Sequence, residues 1–237
     1  TSASTDVNSG LGIHVSGREK NTDNKYDGTL VIKNGSNIQL DYLIDRGAIT
    51  IDNATLTVTN GFGIAGRPAA ETEDSNPATA TISLVNGAKL IVDNHNGMGV
   101  GQASQYPEGY GIMNIDATST FETTQSFLVT ADGTMNVNGG NVKTVGTLTN
   151  NGAVNVTGNA SMNVNTLTGN AINFTNVTIA NANIGGRVNA FGTNNFSGET
   201  NVTGILSLGY ETNPSEQVVV NVTGNFNGTN VIIKTNN

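Results

Sequence analysis

Residues 47–58 read GAITIDNATLTV. Two short runs of alternating apolar and polar residues, Ile49-Thr50-Ile51 and Leu56-Thr57-Val58, flank Asp52-Asn53-Ala54-Thr55. Alternation puts Ile49 and Ile51 on one face of a strand and Thr50 on the other. An asparagine between the runs tolerates the left-handed backbone that a tight bend needs. The stretch reads as strand, turn, strand. Because the plan recurs down most of the chain, it reads further as one coil of a solenoid.

From Gly28 the first strand of the unit returns as Leu30/Ile32, Ile49/Ile51, Ile82/Leu84, Met113/Ile115, Met135/Val137, Val154/Val156 and Ile172/Phe174. The residues between the members of each pair are Val31, Thr50, Ser83, Asn114, Asn136, Asn155 and Asn173, which predicts an outward polar column with inward apolar pairs beneath it. Two residues past each first strand stand Asn34, Asn53, Asn86, Ala117, Gly139, Gly158 and Asn176. All but Ala117 favour a left-handed turn residue, so the turn at Ala117 is expected to differ. A second strand follows as Ile38/Leu40, Leu56/Val58, Leu90/Val92, Phe121, Val142 and Met162/Val164. A third is visible as Phe62-Gly63-Ile64, Met98-Gly99-Val100 and Phe127-Leu128-Val129, with shorter counterparts at Leu148 and Leu167. The fold class expected is all-β: a right-handed, single-stranded parallel β-helix with three strands per coil and about ten coils. At about 4.8 Å per coil this is a rod on the order of 50 Å long.

Composition agrees with a thin core. Of 237 residues only 5% are aromatic and none is Trp, whereas a thick globular core usually draws on large rings. Eighteen acidic against ten basic residues give a net charge of −8, which argues against nucleic acid and anionic membrane as partners. No cysteine is present, so disulfides and thiolate metal sites are excluded while the compartment stays open. No apolar run approaches the ~20 residues of a membrane-spanning helix, so no direct membrane insertion by this region is expected. The start at Thr1 suggests a processed protein or an excised fragment.

One domain over 1–237 is expected, with no linker. Residues 1–28, with one weak strand at Leu11–Val15 and the polar stretch SGREKNTDNKYDG, read as an N-terminal end coil or cap. Regular coils follow over 28–176, and the register blurs over 177–237, read as tighter coils and a C-terminal end. Two insertions leave the repeat after the third strand: GRPAAETEDSNPA at 66–78 and QASQYPEGY at 102–110. They leave successive coils at the same point, which predicts that they lie side by side.

These insertions hold the candidate ligand-binding residues Arg67, Glu71, Glu73, Asp74, Tyr106, Glu108 and Tyr110. The carboxylates with Arg67 could meet a polar ligand, and the tyrosines could stack on a sugar ring or anchor a protein contact. The plainer readings are a solvated loop and rings folded back over their own backbone. Catalysis is not expected. His14 and His95 fall in distant coils, no cysteine can serve as nucleophile, and paired carboxylates on a proline-bounded loop lack the rigid platform that glycoside chemistry needs. Calcium-binding GGxGxDxUx repeats are absent, Asp52, Asp93, Asp116 and Asp132 fall at different coil positions, and neither a metal site nor a cofactor is expected. Sequons such as Asn155-Val156-Thr157 arise from composition and are not read as modification sites.

The units GTLVIKNG, GAITIDNA, ATISLVNGAKLIV, GTMNVNGG and GAVNVTGN, with their Asn/Gly turn column, resemble the passenger domains of bacterial autotransporters and related surface adhesins over roughly 28–176. These are right-handed parallel β-helices of the pectate-lyase type. The resemblance implies a non-catalytic, secreted or surface-displayed bacterial adhesin, associated with the outer membrane if part of an autotransporter. It would attach cells to a host or bacterial surface protein or glycan, with self-association as a further option. The alternatives are a polysaccharide-binding or polysaccharide-degrading lyase or glycoside hydrolase on the same scaffold, and a structural stalk.

Overall fold

The computed structural model describes residues 2–6, 10–15, 28–66, 78–93, 99–101, 109–208, 218–229 and 231–233. Among them are strands and no helix. The strands are β1 (Ser2–Asp6), β2 (Gly10–Val15), β3 (Thr29–Lys33), β4 (Asn37–Asp45), β5 (Ala48–Asp52), β6 (Thr55–Ile64), β7 (Thr79–Val85), β8 (Lys89–Val92) and β9 (Gly99–Val100). Next come β10 (Tyr110–Ile115), β11 (Thr120–Thr123), β12 (Phe127–Val129), β13 (Gly133–Asn138), β14 (Asn141–Asn150), β15 (Ala153–Thr157), β16 (Ser161–Gly169) and β17 (Ile172–Thr175). The last are β18 (Thr178–Ile184), β19 (Arg187–Phe191), β20 (Thr193–Phe196), β21 (Thr200–Val202), β22 (Ile205–Leu208), β23 (Val219–Val222), β24 (Phe226–Gly228) and β25 (Val231–Ile233).

The strands form two sheets. One runs β3-β5-β7-β10-β13-β15-β17-β19-β22-β25, so sequence order is kept but the strands between are skipped. Those skipped strands make the other sheet, β1-β2-β4-β6-β8-β11-β14-β16-β18-β20-β23, with β9 and β12 joined through β14 and β21 and β24 through β18. Each strand pairs with its counterpart one repeat on, always in parallel, apart from the antiparallel β1–β2 pair at the N-terminus. This is a solenoid-like parallel β arrangement.

Register follows the apolar pairs of the sequence. Leu30, Ile49, Ile82, Met113, Met135, Val154, Ile172, Val188 and Leu206 stand opposite one another in succession. From Ile49 to Leu206 all are buried. In the other sheet Ile38, Leu56, Leu90, Phe121, Val142, Met162, Ile179 and Phe196 form the matching row. A one-residue slip would turn each row out to water, so burial fixes the register. The second and third apolar runs share one sheet, and in β4, β6, β14, β16 and β18 they lie within one long strand. Register shifts between Leu40 and Tyr42 and between Thr144 and Thr147 separate the two parts, as at a bulge.

The turn column behaves as its residues require. Asn34, Asn53, Asn86 and Asn176 have φ of 63°, 47°, 56° and 57°, and Gly139 and Gly158 are also left-handed. Ala117 is not. Its turn is held by the Asp116 side chain: one carboxylate oxygen accepts from the Thr118 N–H (3.0 Å), the Thr118 hydroxyl (3.0 Å) and the Ser119 hydroxyl (2.7 Å). The other accepts from the Asn86 N–H of the preceding repeat at 2.8 Å. A side-chain acceptor here does what a left-handed residue does elsewhere.

Candidate functional site

Of the residues expected to bind, Arg67, Glu71, Glu73, Asp74, Tyr106 and Glu108 lie outside the described residues. Tyr110 is described: it opens β10 and is 48% exposed. The roots of the two insertions meet. Gly66 N–H donates to the Tyr110 carbonyl at 2.8 Å, and a Cβ on Gly109 would collide with the Gly66 carbonyl, so this close approach requires glycine. Beneath the roots lies Arg46, fully buried, whose Nη2 donates to the Gly66 carbonyl at 2.8 Å. Beside it Asp45, also fully buried, accepts from the Gly47 N–H at 3.0 Å. Sequence reading passed over this pair. The available signal was an Asp-Arg where the next repeat carries apolar and small residues, Ile64-Ala65.

The surface between turns is built of amides. On the first sheet Asn136 donates to Asn114 (3.0 Å), Asn155 to Asn136 (3.1 Å) and Asn189 to Asn173 (3.0 Å). This is the polar column expected from the sequence, closed by side-chain bonds between rungs. A second set runs on the other sheet. Asn183 donates to the Asn165 carbonyl (2.8 Å), Asn201 to Asn183 Oδ1 (2.9 Å) and Asn227 to Asn201 Oδ1 (3.0 Å). Asn221 donates to Asn195 at 2.8 Å. This set was missed because its spacing is uneven: Asn165, Asn183 and Asn201 are eighteen positions apart, Asn201 and Asn227 twenty-six, and the register shifts between β16 and β18.

Charge on this surface is sparse. Glu122 sits between Lys89 (3.0 Å) and Lys143 (3.4 Å). The Lys89 hydrogen bond holds its carboxyl below the usual value; burial opposes this, and the charges of both lysines add to the lowering. For Asp116 burial pushes the carboxyl up, and hydrogen bonds from Ser119, Asn86 and Thr118 together outweigh it, so the net direction is down. Among the described residues no group of three or more His, Cys, Asp or Glu could hold a metal ion, and no helix is long and apolar enough to cross a membrane.

Around the second amide set the surface is concave. A trough of about 260 Å³ is lined by Asn165, Asn181, Ala182, Asn183, Glu199 and Asn201. No family model, curated protein or solved structure matches the chain.

Proposed function

We propose that the chain winds as a right-handed parallel β-helix with three strand segments per coil, and that it serves as a non-catalytic attachment rod displayed on a bacterial surface. Parallel strands of one sheet joined through an element outside it take the right-handed crossover in about 98% of cases, which supports the hand. The observation that carries the function is the pair of asparagine ladders. They give two faces of the stack a repeated, uncharged row of donors and acceptors, suited to many weak polar contacts with a protein or glycan surface. The insertions rooted at Gly66 and Gly109 supply the proposed ligand-binding residues Tyr106, Tyr110, Arg67, Glu71, Glu73, Asp74 and Glu108.

The test is adhesion of beads coated with the chain to immobilised matrix proteins, mammalian cells and bacterial cells, with the Tyr106→Ala/Arg67→Ala double variant alongside. Attachment that the double variant weakens is expected. Wild-type attachment by the variant would remove the insertions from the reading. A chain that released new reducing ends or unsaturated products from pectin, alginate or glycosaminoglycan would be an enzyme instead.

A further inference from the structure

We infer that the trough over Asn165, Asn181, Asn183, Glu199 and Asn201 is a binding site for one neutral sugar residue of a glycan. The inference takes its biological setting from the attachment reading, but its geometry is independent of it, since none of these residues belongs to the insertions.

The trough exists because the sheet is interrupted at the same place in successive rungs. Pairing of β16 with β18 shifts register between Met162 and Asn163 and again between Asn163 and Thr166. One rung on, β18 pairs first with β20 and then with β21, and the chain between them leaves the ladder at Ser197-Gly198-Glu199. This excursion is pinned from both sides. Ala182 N–H donates to the Glu199 carbonyl, and Glu199 N–H donates to Asn181 Oδ1, each at 3.0 Å. Gly198 lies so close to the Ala180 carbonyl that no Cβ could fit. Interrupted pairing of this kind commonly re-aims side chains beside binding sites.

The lining chemistry selects the ligand. Each carboxamide presents a donor and an acceptor side by side, the complement of two neighbouring hydroxyls that each donate and accept. The ladder uses part of that capacity and leaves the rest. Asn201 Nδ2 donates to Asn183 Oδ1 at 2.9 Å and to Glu199 Oε1 at 3.3 Å, while Asn165 Nδ2 and Glu199 Oε2 make no hydrogen bond among the described residues. Because the amides are braced against one another, little rotamer freedom is lost on binding. Glu199 is the only charged group of the lining, and it repels anions, so uronate and sulfated sugars are disfavoured. A divalent cation is also a poor fit. One carboxylate faces the site, and the amide oxygens of Asn181, Asn183 and Asn201 already accept hydrogen bonds. A volume near 260 Å³ suits one ring with its hydroxyls. With Ala182 as the only apolar lining there is no aromatic platform, so the affinity expected is weak, with a dissociation constant on the order of 1 mM. Useful attachment then comes from many rods on one surface.

The experiment follows the side-chain amide signals of the full, isotopically labelled chain by NMR. It is titrated with mannotetraose, cellotetraose or β-1,4-galactotetraose, and separately with tetragalacturonate and with calcium chloride alone. At least one neutral tetrasaccharide is expected to move the Asn165, Asn181, Asn183 and Asn201 amides and to leave the Gln39 amide of β4 unmoved. Asn165→Ala and Glu199→Ala should each weaken that binding at least about fivefold, and Glu199→Gln should narrow the preference over tetragalacturonate. Gln39→Ala, at an exposed position of β4 outside both ladders, is the folded control and should bind as wild type. No movement with any neutral probe, equal movement with tetragalacturonate, movement with calcium alone, or binding indifferent to Asn165→Ala and Glu199→Ala would each overturn the site. Attachment to cells that survives Asn165→Ala sinks the sugar site and spares the attachment reading. Sugar binding by a chain that attaches to no surface does the reverse.

Discussion

Phe127 is the place to test how the stack holds together. Its ring is 1% exposed, lies 4.7 Å from Phe121 at 59° and 6.0 Å from Phe62 at 39°, and so ties three strands of the larger sheet across the core. Truncation in Phe127→Ala removes the ring from a site whose neighbours are held by strand pairing on both sides, with β14 through Leu148 and with β9 through Gly99 and Val100. The cavity cannot collapse easily, which places the loss in the about 3–5 kcal/mol range for buried Phe→Ala. The two ring contacts account for about 0.5–1.5 kcal/mol each of that. With a urea slope of roughly 2 kcal/mol per molar, the midpoint should fall by about 2 M, monitored by far-UV circular dichroism because the chain has no Trp. In a stack whose repeats contact only their neighbours, such a lesion also uncouples the two sides, so the single transition should broaden or split. Phe226→Ala is the internal comparison. Its partly buried ring meets Phe196 edge-on at 5.5 Å near the C-terminal end of the stack, and about 1–2 kcal/mol with no splitting is expected. A Phe127→Ala midpoint within about 0.5 M of wild type would refute the argument that this core is braced too firmly to close the gap.

Other outcomes follow from single positions. Asn53→Ala should cost about 1 kcal/mol in urea unfolding and Asn53→Gly almost nothing, because φ there is 47°; equal effects would mean that the side chain, not the backbone, decides that turn. Thr144→Val should stabilise by about 1 kcal/mol, since the Thr144 hydroxyl is buried with no partner among the described residues; a loss would reveal a hydrogen bond there. The Asp116 carboxyl sits below its ordinary value in the fold, so its contribution is present above the unfolded value of about 3.9 and is lost as pH falls through the folded one. Thermal melts from pH 7 to 2.5 should therefore show a shallower acid limb in Asp116→Asn; identical limbs would remove Asp116 from the account. Gly198→Ala should cost about 1–3 kcal/mol through the clash with the Ala180 carbonyl, and an unchanged melt would mean that the excursion is not pinned there.

Much of the architecture was legible because its periodicity is strict where the core is thin. A two-residue alternation such as Met135-Asn136-Val137 leaves one choice of inward face, and the Asn/Gly column marks the turns by a backbone requirement. Ala117 was rightly singled out, though the device that replaces a left-handed residue, Asp116 with four donors, depends on a neighbour one repeat away. The second amide ladder was not legible. Its members Asn165, Asn183, Asn201 and Asn227 are separated by 18, 18 and 26 positions, with register shifts between, so no fixed spacing announces them. The trough is hidden for the same reason: it is made by where pairing fails, and sequence periodicity reports where pairing holds. Arg46 was hidden too, since a lone arginine between repeats reads as surface until the Gly66 carbonyl is found above it.

The amide ladders have a direction. In each side-chain asparagine-to-asparagine bond among the described residues the nitrogen belongs to the later rung and the oxygen to the earlier one, from Asn136 on Asn114 to Asn227 on Asn201. Carboxamide dipoles so aligned add head to tail as peptide dipoles do in a helix, and each bond polarises the next. The ladders therefore carry an electrical vector along the stacking axis, with amide hydrogens toward the first rungs and oxygens toward the last; at Asn189 the oxygen is taken up by the Arg187 guanidinium at 3.0 Å. A ladder so built has unlike ends, one asking its neighbour for a donor and the other for an acceptor.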